Sequence, residues 1–169
     1  MLTLRKATLA DSNLILAWRN DPETIAMSTT QRGVTEAEHD RWYIKTLTDI
    51  TVHLYVAVIC LDGLSDAQIA QYKIGLEDIE ANEIEIGMGR INEECGVAVL
   101  SYSIDKAYRG QGYGGELVAD LCAKACELGC TSIQAVCRHA NTASVRALLG
   151  QGFEIDDREL LHLTKEKDR

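Results

Sequence analysis

A chain of 169 residues, 46% of them hydrophobic, holds enough apolar material for one globular core and reads as a single domain over residues 1–169. Its net charge of −9 falls mostly on residues 51–104, where two Lys/Arg stand against nine Asp/Glu; an acidic chain without basic stripes is poorly suited to nucleic acid. No apolar run reaches bilayer-spanning length and no signal-like segment opens the chain, so the expected location is the cytoplasm, with no membrane partner.

Taken in order, "MLTLRKAT" alternates Leu2 and Leu4 with polar residues, as a strand does. Asp11 is an expected N-cap for a helix carrying Leu14, Ile15 and Trp18, which ends at "WRNDPET". There Asp21 caps a short turn with Pro22 at its first position. Thr35 and Glu38 predict a capping box for a second helix, with His39, Trp42, Tyr43 and Leu47 on one face. "VHLYVAVICLDG" predicts a strand, and residues 64–82 are the least legible part, with "QYKIGLE" a candidate strand. "EIEIGMGRI" and "GVAVLSYSI" predict two antiparallel strands joined at "NEEC", with Glu83, Glu85 and Gly87 on one face.

The centre of the chain is "SYSIDKAYRGQGYGGEL", Ser101 to Leu117: strand, turn, spaced glycines, helix. Glycines there permit positive φ and leave backbone N–H groups open to an anion, and the helix that follows adds its own unpaired N–H groups. Arg109, Gly112 and Gly114 form R-x-x-G-x-G, which is neither the dinucleotide fingerprint nor the phosphate-loop signature. The predicted helix runs from Gly114 to Leu128 and closes at Gly129; "SIQAVC" is a buried strand. Asn141 or Thr142 caps a short helix to Leu149, and "FEIDDRELLHLTK" supplies the last two strands. Cys122, Cys126 and Cys130 recur every four residues on one helical stripe without partners at zinc-ligand spacing. They read as small packing residues, and no metal is expected.

The order of "YSID", Tyr108, R-x-x-G-x-G, an apolar helix, a strand, "NTAS" and "GF" resembles the GNAT superfamily of acetyl-CoA-dependent N-acetyltransferases, closely over about Gly96 to Phe153 and loosely elsewhere. The resemblance implies a mixed α/β (α+β) fold, with a mostly antiparallel sheet and two helices before and two after the coenzyme-binding strand. It implies that Ser103 and Ile104 pair with the pantetheine arm, and that Arg109, Gly110, Gln111, Gly112, Tyr113, Gly114 and Gly115 hold the pyrophosphate. Asn141 and Ser144 match further coenzyme-contacting or helix-capping positions. A backbone N–H of Tyr102 to Ile104 is the implied oxyanion donor.

Ribosomal-protein alanine acetyltransferases of that superfamily carry a glutamate five residues before the asparagine and a tyrosine seven after it. Those positions are Val136 and Leu148 here, and neither transfers a proton. Tyr102, Ser103 and His39 are therefore the candidate catalytic residues, with Tyr43 as another hydroxyl source and Glu83 and Glu85 as weaker bases. His39 has the alternative of a packed core histidine.

The N-terminal W-R-N (Trp18, Arg19, Asn20) and H-x-x-W (His39, Trp42) are similar to acetyltransferases of nucleotide-linked amino sugars of the pseudaminic-acid pathway type, and to ribosomal-protein serine acetyltransferases. That likeness assigns Arg19, Asn20, His39, Trp42 and Tyr43 to the acceptor side. The expected reaction is direct attack of a primary amine, on a small-molecule acceptor, upon acetyl-CoA. A protein N-terminus or polyamine, which the acidic middle suits, is the second reading, and a non-catalytic coenzyme A-binding module the third. Homodimers are common in the superfamily, so a dimeric partner stays open.

Overall fold

A computed structural model describes residues 2–62, 65–71, 82–156 and 161–166. Seven strands form one sheet in the order β1-β2-β3-β4-β5-β7-β6. They are β1 (Leu2–Lys6), β2 (Val52–Cys60), β3 (Glu83–Glu94), β4 (Val97–Ile104), β5 (Ser132–Cys137), β6 (Glu154–Asp156) and β7 (Leu161–Glu166). Every neighbouring pair is antiparallel except β4–β5. The helices are α1 (Ser12–Arg19), α2 (Pro22–Met27), α3 (Glu36–Thr48), α4 (Asp66–Gln71), α5 (Tyr113–Glu127) and α6 (Thr142–Gly150). The two principal helices before the central strand, α1 and α3, and the two after it agree with the mixed fold expected; α2 and α4 are short additions of six residues each. Of the candidate strand "QYKIGLE", Gln71 ends α4 and residues 72–77 lie outside the described residues.

The sheet separates two apolar layers. Leu117, Val118, Leu121, Cys122 and Ala125 of α5, with Leu148 of α6, pack on one face. Ile15 and Trp18 of α1 and Tyr43 of α3 pack on the other, against Leu54, Val56 and Val58. Each Leu, Ile or Val among these, fully buried, contributes about 1.5–3 kcal/mol. The α3 capping box forms as expected: the Glu38 N–H donates to Thr35 Oγ1 (3.3 Å), and the Thr35 N–H donates to Glu38 Oε2 (2.9 Å). Asp11 does not cap α1 with its side chain. Its carboxylate instead accepts from Arg5 at 2.7 and 2.9 Å and from the Thr8 N–H at 2.7 Å. Burial would raise the Asp11 pKa, but these donors outweigh it and hold the group below the usual carboxylate range.

One irregularity matters for the site. The β2–β3 register shifts between Ala57 and Val58, whose partners are Gly87 and Glu85, leaving Ile86 as an extra residue in β3. After the bulge the faces exchange, so Gly89 and Ile91 join the α5 layer while Met88 packs with the α1/α3 layer. The alternation expected for Glu83, Glu85 and Gly87 is broken there. Gly87 sits so close to β4 that a Cβ would overlap the Ser103 carbonyl oxygen.

Candidate active site

The β4–β5 pairing runs from Val97/Ser132 to Leu100/Ala135 and extends no further. Beyond it the two parallel strands part, and the edge of Ser101 to Ile104 is left without a strand partner on that side. A cleft of about 520 Å³ opens at this fork. Ser101, Tyr102, Ser103, Val136, Cys137, Asn141, Ser144 and Leu148 line its strand and α6 side. Met88 and Arg90 of β3 lie beside Ser103 and Ser101 on the same sheet face, and Arg19, Arg32, His39 and Trp42 line the α1/α3 side.

Downstream of β4 the chain turns through Lys106–Tyr108 into the glycine segment. Gly110 and Gly112 take φ of +76° and +93°, the left-handed region that favours glycine, and Gly112 is the N-cap of α5. A Cβ at Gly110, Gly112 or Gly115 would meet no atom within 4 Å, so this side of the turn is open. A run of glycine backbone open on one side, at the start of a fifteen-residue helix, suits a pyrophosphate, and the parted strand edge suits an extended amide arm. These residues fit coenzyme A. Gly114 faces α6 instead, its virtual Cβ 3.9 Å from Ala147. Tyr113, the first residue of α5, packs on the core, and the Gln111 amide donates to the Ala107 carbonyl at 3.2 Å.

The Arg109 side chain does not extend into this cradle. Its guanidinium donates to Asp21 (2.8 Å), Glu23 (2.8 Å) and Thr24 (3.0 Å), and Nε donates to the Ile104 carbonyl (2.9 Å). It ties α2 to the end of β4. Four of its five N–H donors are thus engaged within the chain.

On α6, Asn141 is the N-cap and accepts from the Ser144 N–H at 3.2 Å. Ser144 Oγ lies 2.8 Å from the Tyr102 hydroxyl. Burial pushes the Tyr102 pKa up to about 12, with the Ser144 bond acting against it. Leu148, one helical turn beyond Ser144, is fully buried. Val136 stays 38% exposed in the cleft, an apolar group where a base would be useful.

Cross-strand pairing assigns the faces of β4. Ser101 opposes Arg90 and Ser103 opposes Met88, on the α1/α3 side; Tyr102 opposes Gly89, on the α5/α6 side. Tyr102 and Ser103 therefore do address different halves of the cleft.

Two residues assigned to the acceptor side do not line the cleft. Tyr43 is 1% exposed and donates to the Thr8 carbonyl at 2.6 Å, with its pKa pushed up to about 12, chiefly by burial. It is a core residue with no free hydroxyl to give. Asn20 brackets Val34, donating to its carbonyl and accepting from its N–H, both at 2.8 Å. That grip closes the loop that carries Thr29, Thr30 and Arg32 into the cleft wall. His39 borders the cleft but is 2% exposed, stacked on Tyr43 at 5.3 Å, with Nε2 3.1 Å from Ser12 Oγ. This placement suits packing more than proton transfer.

Arg19 does reach the cleft. Nη2 donates to Thr30 (2.9 Å) and to the Arg32 carbonyl (3.2 Å), while Nη1 is buried without a partner. Burial, and then the nearby Arg32 charge, lower its pKa. Arg90 was not singled out from the sequence. The available signal is its phase: under strict alternation it falls on the face of Ile84, Ile86 and Met88, where an arginine needs a reason. Among the described residues, no His/Cys/Asp/Glu cluster could hold a metal ion and no helix is long and apolar enough to cross a membrane.

Comparison with known proteins gives the same architecture. A domain from Methanocaldococcus jannaschii is similar at a TM-score of 0.79 and 13% identity, with 99% of each chain covered. Aminoglycoside acetyltransferase AAC(6')-Ib in complex with coenzyme A and kanamycin is similar at 0.73 and 17%, covering 99% of this chain and 95% of that one. Spermidine N-acetyltransferase from Vibrio cholerae, in complex with coenzyme A and spermine, is similar at 0.74 and 16%, covering 98% and 95%. A search of curated proteins by sequence finds no match. The model of the acetyltransferase (GNAT) domain matches residues 1–154, so the chain belongs to the GNAT family of acetyl-CoA-dependent N-acetyltransferases.

Proposed function

We propose that the protein acetylates the primary amine of a nucleotide-linked amino sugar. The observation that carries this reading is the charge of the cleft: Arg19, Arg32 and Arg90 line it, and no Asp or Glu does among the described residues. A polyamine would meet like charge and no counter-ion, whereas a sugar diphosphate would satisfy the orphaned Arg19 Nη1. The acidic middle of the sequence does not oppose this. Glu83 and Glu85 are paired with Arg5, at 4.0 and 2.8 Å, and neither lines the cleft.

Acetyl-CoA supplies an activated thioester when bound. The chain's own contribution begins with orientation, which is worth about 7–11 kcal/mol when both reactants are held well. The amides of residues 109–115 and Asn141 and Ser144 hold the coenzyme, and the unpaired edge of Ser103 and Ile104 orders its arm. Ser103, on the acceptor side, passes the amine proton to water. Tyr102, held by Ser144 on the α6 side, gives its hydroxyl proton to the coenzyme sulfur that departs as the amine forms the C–N bond and the C–S bond breaks. Arg19 and Trp42 position the acceptor, and His39 supports Trp42 from behind at 5.5 Å between rings.

Thiol release tests this across amino-sugar nucleotides, the matching free amino sugars, spermidine and N-terminal peptides. Turnover confined to the nucleotide-linked amines is expected. Preference for spermidine or peptides would replace this acceptor class, and acetyl-CoA binding without thiol release from any amine would favour a binding module.

A further inference from the structure

The cleft holds a charge that the chain leaves uncompensated. Arg5, Arg32 and Arg109 are each matched to carboxylates: Arg5 to Asp11 at 2.7 Å, Arg32 to Glu38 at 3.2 Å, Arg109 to Asp21 at 2.8 Å. Arg90 has no carboxylate partner among the described residues. Its Nε is buried and unpartnered, and its one hydrogen bond among the described residues is a long one, Nη2 to Ser101 Oγ at 3.4 Å. The guanidinium lies over the Trp42 ring, 5.7 Å from the centroid. Desolvation alone lowers its pKa, with no counter-charge acting to raise it. A cation drawn from water without an anion is costly, and the cost is recovered when an oxyanion arrives.

The register fixes where that anion would sit. Arg90 opposes Ser101 on β4, the first residue beyond the last β4–β5 pair at Leu100/Ala135. Arg90 thus marks the floor of the fork, whereas Arg32, paired with Glu38, belongs to the rim loop that Asn20 closes. Trp42 walls the floor on one side and Ser101 adds a hydroxyl on the other.

We propose that Arg90, Ser101 and Trp42 form an oxyanion subsite on the cleft floor that fixes a carboxylate or phosphate group of the acceptor. The inference rests on the reading of an anionic acceptor and adds a second recognition point, deeper than Arg19. The guanidinium offers a planar pair of donors, Ser101 a third, and the indole face holds the cation in plane.

The test uses the whole chain saturated with coenzyme A, so that the glycine cradle is filled. Calorimetric titrations with inorganic phosphate and, separately, glycolate are run on the parent protein and on Arg90→Gln, with melting curves for both. Binding of one of the two probes, weakened at least fivefold in Arg90→Gln and restored in part in Arg90→Lys, is expected; the probe that shows it names the source, phosphate or carboxylate. Equal binding in parent and Arg90→Gln, or no binding of either probe, overturns the subsite. Should Arg90→Gln unfold, Ser101→Ala and Trp42→Leu replace it, with the same criterion. Thiol release with amino-sugar nucleotides, measured on the parent protein alone, separates the two ideas. Its presence without Arg90-dependent anion binding sinks only the subsite, and its absence sinks the acceptor reading.

Discussion

The contacts of Arg109 set up a test that separates a structural arginine from a coenzyme-binding one. Asp21 caps α2, accepting from the Thr24 N–H at 3.0 Å, and its carboxylate also takes the Arg109 Nη2 donor at 2.8 Å. Its side chain is 14% exposed, against 67% for Glu23, the other acidic partner. A charge-assisted hydrogen bond in the first setting is worth about 1.5–3 kcal/mol. The exposed pair with Glu23 is worth under about 1 kcal/mol. Asp21→Asn keeps a good cap but loses the charge, so it should cost about 1–2 kcal/mol; Asp21→Ala also loses the cap and should cost about 2–4 kcal/mol. Arg109→Gln should fall in the same range, and the double variant Asp21→Asn/Arg109→Gln should show a coupling of at least about 1 kcal/mol in urea denaturation.

Coenzyme A affinity then decides the role. If Arg109 acts by fixing α2 against the turn, Asp21→Asn and Arg109→Gln both loosen the coenzyme by a similar factor. If instead the guanidinium binds the pyrophosphate, Asp21→Asn releases it and tightens the coenzyme while Arg109→Gln loosens it. Opposite signs in calorimetry would refute the structural role. The pair also has a pH signature. Burial would raise the Asp21 pKa, but Arg109 and the Thr24 amide lower it on balance. Its stabilisation is therefore complete above the unfolded value, about 3.9, and is lost as pH falls through the lower folded value. Asp21→Asn should erase that part of the acid unfolding.

The remaining expectations concern single positions. Gly112→Ala, at φ +93°, should destabilise by about 1–2 kcal/mol, while Gly115→Ala, with no positive φ and no atom within 4 Å, should stabilise α5 by about 0.5–1 kcal/mol; equal effects in urea denaturation would remove the special status of Gly112. Tyr102→Phe should lower kcat about a hundredfold while KM holds, and full turnover at saturating substrate would assign the proton to water. Arg19→Ala should raise the acceptor KM about tenfold, some 1.4 kcal/mol, with melting temperature and acetyl-CoA affinity nearly unchanged; the reverse pattern would point to a small neutral or cationic amine. His39→Gln should cost about 1–2 kcal/mol of stability through lost stacking and spare kcat, and a large fall in kcat without loss of stability would restore it as a base.

Local signals carried most of the fold. Caps at Asp21, Thr35 and Asn141, and the positive-φ glycine after α5, announce helix ends through short-range hydrogen bonds, which a sequence states directly. Asp11 misled because its nearest helix was not its strongest partner: Arg5, six residues earlier, offers two charged donors. Tyr43 and Asn20 do not line the cleft, for a related reason. Each has a polar group that a main-chain partner far along the chain satisfies, the Thr8 carbonyl and both main-chain groups of Val34, and no local pattern reveals such a partner.

Arg90 shows the limit most sharply. Under strict alternation Ile84, Ile86, Met88 and Arg90 share one face, which would bury an arginine in the same layer as two isoleucines. That contradiction has a physical solution, a bulge that exchanges the faces partway along the strand, and the glycines flanking Met88 are where it is cheapest. Gly87 admits the Ser103 carbonyl and Gly89 admits Leu121, so neither position could carry a side chain without displacing its neighbour. The bulge at Ile86 sends Met88 to the Trp42 layer and brings Arg90 over the Trp42 ring, while Ile91 returns to the core. A charged residue in phase with the apolar face of a strand, with glycines on its near side, is thus a signal of re-aimed geometry. What the strand gains by the exchange is a cation at the fork of β4 and β5, where the proposed reaction brings acceptor and thioester together.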